Sequence, residues 1–143
     1  MDQLILDIVT QEKHLLTETV DFVSAPTVLG EVTILPHHLS LFTKLDAGEI
    51  KYHKAGKLTS FVISGGFMDV SGGKKVVVLA DSAIRSDLVT EAQAQEAIIR
   101  AKQTMKEKRS QQEFLQAEAQ LRRSLMELRV ARRRKERQVP MAQ

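Results

Sequence analysis

The sequence has no cysteine and no tryptophan. Disulfides, thiolate metal sites and a cysteine nucleophile are therefore excluded, and a reducing compartment is compatible with the composition. Proline occurs only at positions 26, 36 and 140, and all seven glycines precede residue 74. Up to Pro140 the second half thus lacks the usual breakers of regular structure. Aromatic residues make up 4% of the chain, and Phe114 is the only one beyond Phe67. That leaves the second half without a platform on which single-stranded bases could stack. No apolar run approaches the roughly 20 residues of a membrane-spanning helix, the longest being stretches such as Val76 to Ala80. The start, Met1-Asp2-Gln3-Leu4, has no basic segment leading into a long apolar one, so no secretory leader is expected.

What is present suits a folded chain: 143 residues, 43% hydrophobic and 27% charged, enough for a core of ordinary size and an appendage. The net charge of +3 conceals an asymmetry. Residues 1–87 carry 8 Lys and Arg against 11 Asp and Glu, a net −3, whereas residues 88–143 carry 13 against 7, a net +6. The second half is suited to an acidic partner.

Up to about residue 86 the pattern has the two-residue period of strands. Leu4, Leu6 and Ile8 alternate with Ile5, Asp7 and Val9, and Val20 and Phe22 alternate with Thr19, Asp21 and Val23. Further strands are expected at Glu31–Leu35, Ser40–Leu45, Glu49–His53, Leu58–Ser64, Phe67–Ser71 and Lys75–Ala80. They lie too close together for intervening helices. Ala55-Gly56 and Ser71-Gly72-Gly73-Lys74 supply the positive φ of tight hairpins, and Gly65-Gly66 marks a bulge or a close backbone approach. An antiparallel β-sandwich or flattened barrel is expected over residues 1–86.

From Leu88 onward the period is that of helices. Ser86 or Asp87 is the expected cap of the first, with an inner stripe of Ala94, Ala97, Ile98, Ala101 and Met105. A polar interval, Lys106 to Gln112, precedes a second stripe of Phe114, Ala117, Leu121, Leu125 and Leu128. Two antiparallel helices over 87–143 with a turn near Arg109-Ser110-Gln111 are expected, and one long helix is the alternative. The fold class is α+β.

Most site chemistries are poorly supported. Histidines 37 and 38, adjacent on an expected strand, point to opposite faces, and no cysteine or carboxylate cluster joins them or His14 and His53, so no metal site is expected. No nucleophile elbow accompanies His14, and the paired glycines do not form a phosphate loop before a helix. The chain is not expected to be an enzyme by itself or to hold a cofactor. Arg122, Arg123, Arg129, Arg132, Arg133 and Arg134 make the second helix basic. On residues alone this is first a solvated face, then a nucleic-acid binder, then a surface for an acidic protein, with a coiled-coil adaptor as a further alternative.

Three ordered motifs carry a resemblance. Gly30-Glu31-Val32-Thr33-Ile34-Leu35-Pro36-His37-His38-Leu39, Ile63-Ser64-Gly65-Gly66-Phe67-Met68-Asp69-Val70 and Val77-Val78-Leu79-Ala80-Asp81-Ser82-Ala83-Ile84-Arg85 resemble segments of the epsilon subunits of bacterial ATP synthases. The likeness runs on to Leu128-Arg129-Val130. Thr33 stands where that family usually has glycine, and Ser40 where proline is common.

The resemblance implies a non-catalytic part of the central stalk, peripheral to the cytoplasmic face of the inner (plasma) membrane, without nucleic acid. It couples ion flow through the c-ring to ATP synthesis. The sandwich (1–86) would dock on the gamma subunit and the c-ring, with Glu31, Pro36 and His38 at the c-ring. The helical hairpin (87–143) would regulate hydrolysis by reaching the catalytic alpha and beta subunits and setting the six arginines against the beta subunits. Some relatives bind ATP through an Asp and an Arg at the positions of Thr90 and Gln93; both are replaced here, so ATP binding is not expected.

Overall fold

The computed structural model describes residues 2–107 and 110–138, with side chains through Arg134. The chain folds as two compact units, Met1–Arg85 and Ser86–Gln143. The first is a ten-stranded sheet: β1 Leu4–Thr10, β2 His14–Val20, β3 Phe22–Thr27, β4 Gly30–Ile34, β5 Leu41–Leu45, β6 Gly48–Lys54, β7 Lys57–Ile63, β8 Gly66–Ser71, β9 Lys75–Ala80 and β10 Ala83–Arg85.

The spatial order is β10-β7-β6-β3-β5-β8-β9-β1-β2, with β4 on β3. The sheet curls until β2 approaches β6, where Lys54 forms an ion pair with Glu18. Alternation explains which side faces in: Leu4, Leu6 and Ile8, Met68 and Val70, and Val76 and Val78 are buried, while their strand neighbours face out. With Val23, Ile34, Leu45, Ile50 and Ile63 they form one core belonging to this unit alone.

Both expected hairpin turns have positive φ, 50° and 80° at Ala55 and Gly56 and 62° and 63° at Gly72 and Gly73. Gly66 is the close approach: a Cβ there would lie 2.1 Å from the Leu79 carbonyl oxygen, so no side chain fits.

Four expectations are corrected. The sheet is not wholly antiparallel, because β1 runs parallel to β9 in register Leu6↔Val76 and Ile8↔Val78, a pairing available once the intervening chain has travelled around the barrel. Val20 and Phe22 do not share a strand: the chain turns at Asp21, whose N–H donates to His53 O at 2.7 Å. Residues 35–40 form a loop, with His37 at φ 70°, so the argument that its histidines alternate across a strand does not apply. Helix α1 (Glu91–Glu107) is capped by Thr90, not by Ser86 or Asp87. Thr90 O accepts from Ala94 N at 3.1 Å and its Oγ1 from Gln93 N at 3.4 Å, while Ser86–Leu88 form a 3₁₀ turn.

The second helix, α2 (Gln111–Gln138), starts anew at the Ser110 cap, whose Oγ accepts from Glu113 N at 3.1 Å. The expected turn overlaps residues 108–109, which lie outside the described residues. The helices are antiparallel neighbours, since Arg132 near the end of α2 meets Glu91 at the start of α1, Nε to Oε1 at 3.2 Å. Ala94, Ile98 and Ala101 are buried as expected, Ala97 and Met105 half-buried. On α2, Ala117 is buried and Phe114, Leu121 and Leu128 are half-buried, but Leu125 is 47% exposed. Its neighbour Ser124 faces inward instead, fully buried and accepting from Gln120 Nε2 at 3.0 Å. At the turn end a groove of about 460 Å³ remains between the helices, where Ala97, Ala101 and Ala117 are too small to fill it.

Candidate docking interface

Two ends and one face of the sandwich carry the candidate residues. At one end β3 and β4 join through the tip Val28–Leu29, and Glu31 lies opposite Pro26 on the outward side of β4. Leu29 is 94% exposed and Val28 53%, and Glu31 is exposed. At the other end, beyond Ile34, the 35–40 loop is pinned when His37 N donates to Gly73 O at 2.7 Å. A side chain at Gly73 would crowd the His37 Cα, at 2.8 Å, which explains glycine there. His37 Nε2 donates to Asp2 Oδ2 at 2.5 Å, and this contact is the leading cause holding the Asp2 carboxyl below its ordinary value. His38 Nδ1 donates to the Leu39 carbonyl at 2.7 Å.

Of the three residues grouped by their motif, Glu31 lies on β4 and Pro36 and His38 in the loop that follows it. Three residues of β4, Val32, Thr33 and Ile34, separate Glu31 from the loop, about 10 Å of extended strand. Pro36 and His38 shape the far loop. Thr33, the unusual residue of that motif, is accommodated by a 2.9 Å hydrogen bond between its hydroxyl and that of Ser24 across the β3–β4 pair.

The outward face of β5, β8 and β9, which also carries Lys44, Asp69, Ser71 and Lys75, holds one apolar patch. Phe42, 65% exposed, stacks on Phe67 with ring centroids 5.6 Å apart, and Leu79 is paired across from Phe67. Period-two alternation places these residues outward but does not show that they adjoin, because β5 and β9 flank β8 only through sheet order. No local pattern in the sequence singles them out.

Near the sheet edges, two buttresses are electrostatic. Asp7 accepts from Thr17 Oγ1 at 2.5 Å and from His14 Nε2 at 3.3 Å; the hydroxyl foremost lowers its pKa, burial next opposes it, and the imidazole and Lys75 add smaller lowering effects. Asp21 takes His53 Nδ1 at 2.9 Å and Gln3 Nε2 at 3.2 Å, and both lower it, His53 more.

On α2 the six arginines have different occupations. Arg132 binds Glu91, Arg134 Nη1 donates to the Ser86 carbonyl, and Arg122 pairs with Glu118 at 2.9 Å. Arg123 and Arg133 are half-buried, Arg123 near Glu127, whose carboxyl is raised mainly by burial. Arg129 is exposed and makes no ion pair among the described residues. Thr90 and Gln93 serve the helix start. Among the described residues no cluster of His, Cys, Asp and Glu suits a metal, and no helix is long and apolar enough to cross a membrane.

The curled sheet that carries this patch, ahead of the helical pair, is of the ATP synthase delta/epsilon class. Residues 3–86 match the family described as "ATP synthase, Delta/Epsilon chain, beta-sandwich domain". The ATP synthase epsilon chain of Herpetosiphon aurantiacus is 45% identical over 133 residues, 93% of this chain and 97% of the relative. That of Dehalococcoides mccartyi is 46% identical over 136 residues, 94% and 96% of the two chains. The chain belongs to the ATP synthase epsilon chain family, and so is a non-catalytic subunit of that complex. Its fold is shared with a chain in the Euglena gracilis mitochondrial ATP synthase, at TM-score 0.66, 24% identity and coverage of 85% of this chain and 77% of that one. A chain in the Tetrahymena thermophila mitochondrial ATP synthase matches at TM-score 0.58 and 14% identity, covering 90% and 96%.

Proposed function

We propose that the sandwich seats this chain on the rotor and the helical hairpin brakes the catalytic head. The observation that carries the docking is the exposed, stacked Phe42–Phe67 pair with Leu79 beside it, an apolar face suited to the gamma subunit. In this reading the Glu31 end faces the c-ring, and the chain sits peripherally at the cytoplasmic face of the inner (plasma) membrane. Ion flow through the ring is thereby coupled to ATP synthesis. Residues 1–86 act as the docking domain and 87–143 as the regulatory one.

The brake is read from α2. In the closed hairpin Arg132 and Arg134 are tied to Glu91 and Ser86, and Arg129 is presented to solvent. When the hairpin opens, the tied arginines become available to carboxylates of the beta subunits. Nucleotide has no part in holding it closed, since Thr90 and Gln93 lack the carboxylate and guanidinium of the ATP motif. Isothermal titration with ATP is expected to show no tight binding, and tight binding overturns that element.

The docking is tested with Phe67→Glu in the full chain. Affinity for the gamma-containing head should fall at least about tenfold while circular dichroism stays unchanged. Unchanged affinity would move the interface elsewhere.

A further inference from the structure

We infer that Glu91 is an internal stand-in for the acidic surface on which the brake acts: in the closed hairpin it occupies Arg132, and the brake engages when a carboxylate of a beta subunit takes its place. This rests on the brake reading and adds to it how engagement is regulated.

Charge in the hairpin is sorted by position. Residues 86–96 carry Asp87, Glu91 and Glu96 and no Lys or Arg, whereas residues 129–137 carry six Lys and Arg against Glu136 alone. The antiparallel helices bring the two segments to the same end, where two contacts fasten them. Arg132 Nε donates to Glu91 Oε1 at 3.2 Å, and Arg134 Nη1 donates to the carbonyl of Ser86 in the 3₁₀ turn ahead of α1. Gln95 Nε2, one turn along α1, donates to the same Oε1 at 3.4 Å and holds the carboxylate toward α2.

The tie between Glu91 and Arg132 has the strength of a reversible one. Their side chains are 31% and 56% exposed, so water and salt screen the attraction, which favours the closed form by a factor of about two to five. A much stronger contact would lock the arginine away from any partner, and none would leave it facing an acidic surface from the outset. Exchange keeps the chemistry of the contact, since the incoming group is a carboxylate as Glu91 is. A folded partner that presents several carboxylates at once offers the guanidinium a paired, less hydrated contact that one screened side chain does not. Arg129, one turn before Arg132 and exposed, gives such a surface its first foothold.

In the full chain, which has no cysteine, Ala92→Cys and Leu125→Cys at two exposed positions carry a pair of spin labels that read the distance between the helices. The same substitutions at Glu91, Glu96 and Arg132 are assayed, without labels, as inhibitors of ATP hydrolysis by the catalytic head. Glu91→Gln is expected to raise the open fraction about two- to fivefold and to lower by the same factor the concentration that gives half inhibition. Glu96→Gln, at an exposed acid on the same helix, should change neither. Arg132→Gln should open the hairpin as Glu91→Gln does without the gain in inhibition, which separates the tie from the contact that replaces it. Added salt should open the wild-type hairpin toward the Glu91→Gln level and move Glu91→Gln less.

Wild-type distances in Glu91→Gln, or an opened hairpin with unchanged half-inhibition, overturn the inference. Equal gains from Glu91→Gln and Glu96→Gln mark a general effect of charge and overturn it as well, as does stronger inhibition by Arg132→Gln. If no form inhibits, the brake reading falls and the exchange with it, even where the distances show that Glu91 holds the hairpin closed.

Discussion

The two units are held together by different materials. The sandwich buries branched and long side chains to completion: Leu4, Leu6, Ile8, Ile34, Ile50, Ile63 and Met68 have no exposed surface. The hairpin buries chiefly Ala94, Ala101, Ala117, Ser124 and Ala131, with Ile98 and Val130 the larger exceptions, and leaves a groove at its turn end. A close-packed barrel resists partial opening, since a removed side chain leaves a cavity that the sheet does not collapse to fill. A pair of helices joined by small residues and a few charged contacts separates at lower cost, as a switching element requires. The contrast suits a fixed seat carrying a movable brake.

The comparison is broken most severely at Gly66. Gly66→Ala forces a Cβ into the Leu79 carbonyl at φ 144°, and the sandwich should lose about 3 kcal/mol or more or fail to fold, as read by urea unfolding. Leu6→Ala in the same core should cost about 2–5 kcal/mol. Ile98→Ala in the hairpin should fall at the low end of that range or below, with lost helical ellipticity and an intact sheet signal. Equal losses in both would erase the distinction between the units.

Smaller effects sharpen it. Glu91→Gln frees the end of α2 by removing the partner of Arg132, an exposed pair worth at most about 1 kcal/mol. Faster hydrogen exchange in the last turns of α2, with no change in the β-strands, is the expected signature.

Acid should act first on the sheet edges. Asp7 and Asp21 have lowered pKa values, so their contribution is present above the ordinary carboxylate value of 3.8 and is lost as pH falls through their folded values. Asp7→Asn should flatten the acid limb of the stability profile. Glu127 has the opposite sign: its raised pKa favours the protonated form in the fold, a contribution lost as pH rises past the ordinary value of 4.5. Glu127→Gln is expected to be neutral or slightly stabilising at pH 7.

Much of the fold was legible because alternation and glycine chemistry act locally. The strands from Glu31 to Ala80 and the change to helical period needed only neighbouring residues. What escaped depends on partners distant in sequence. β2 is a mostly polar edge strand, and β10 has three residues, too few for a period. The parallel β1–β9 pair is decided by sheet closure, and inward Ser124 in place of Leu125 by the phase of α2 against its neighbours. At the candidate site, Glu31, Pro36 and His38 were named through their motif, which does not show that the last two leave β4 for the loop beyond it. Leu29 and Phe42 were overlooked because an exposed apolar residue has no signature until its surroundings are known.

The central claim, a seat and a brake in separate units, is tested most directly by ATP hydrolysis of the catalytic head reconstituted with the full-length chain or with the chain ending at Asp87. The account predicts that both bind and only the full-length chain inhibits. A truncated chain that inhibits equally, or that folds and fails to bind, would contradict it.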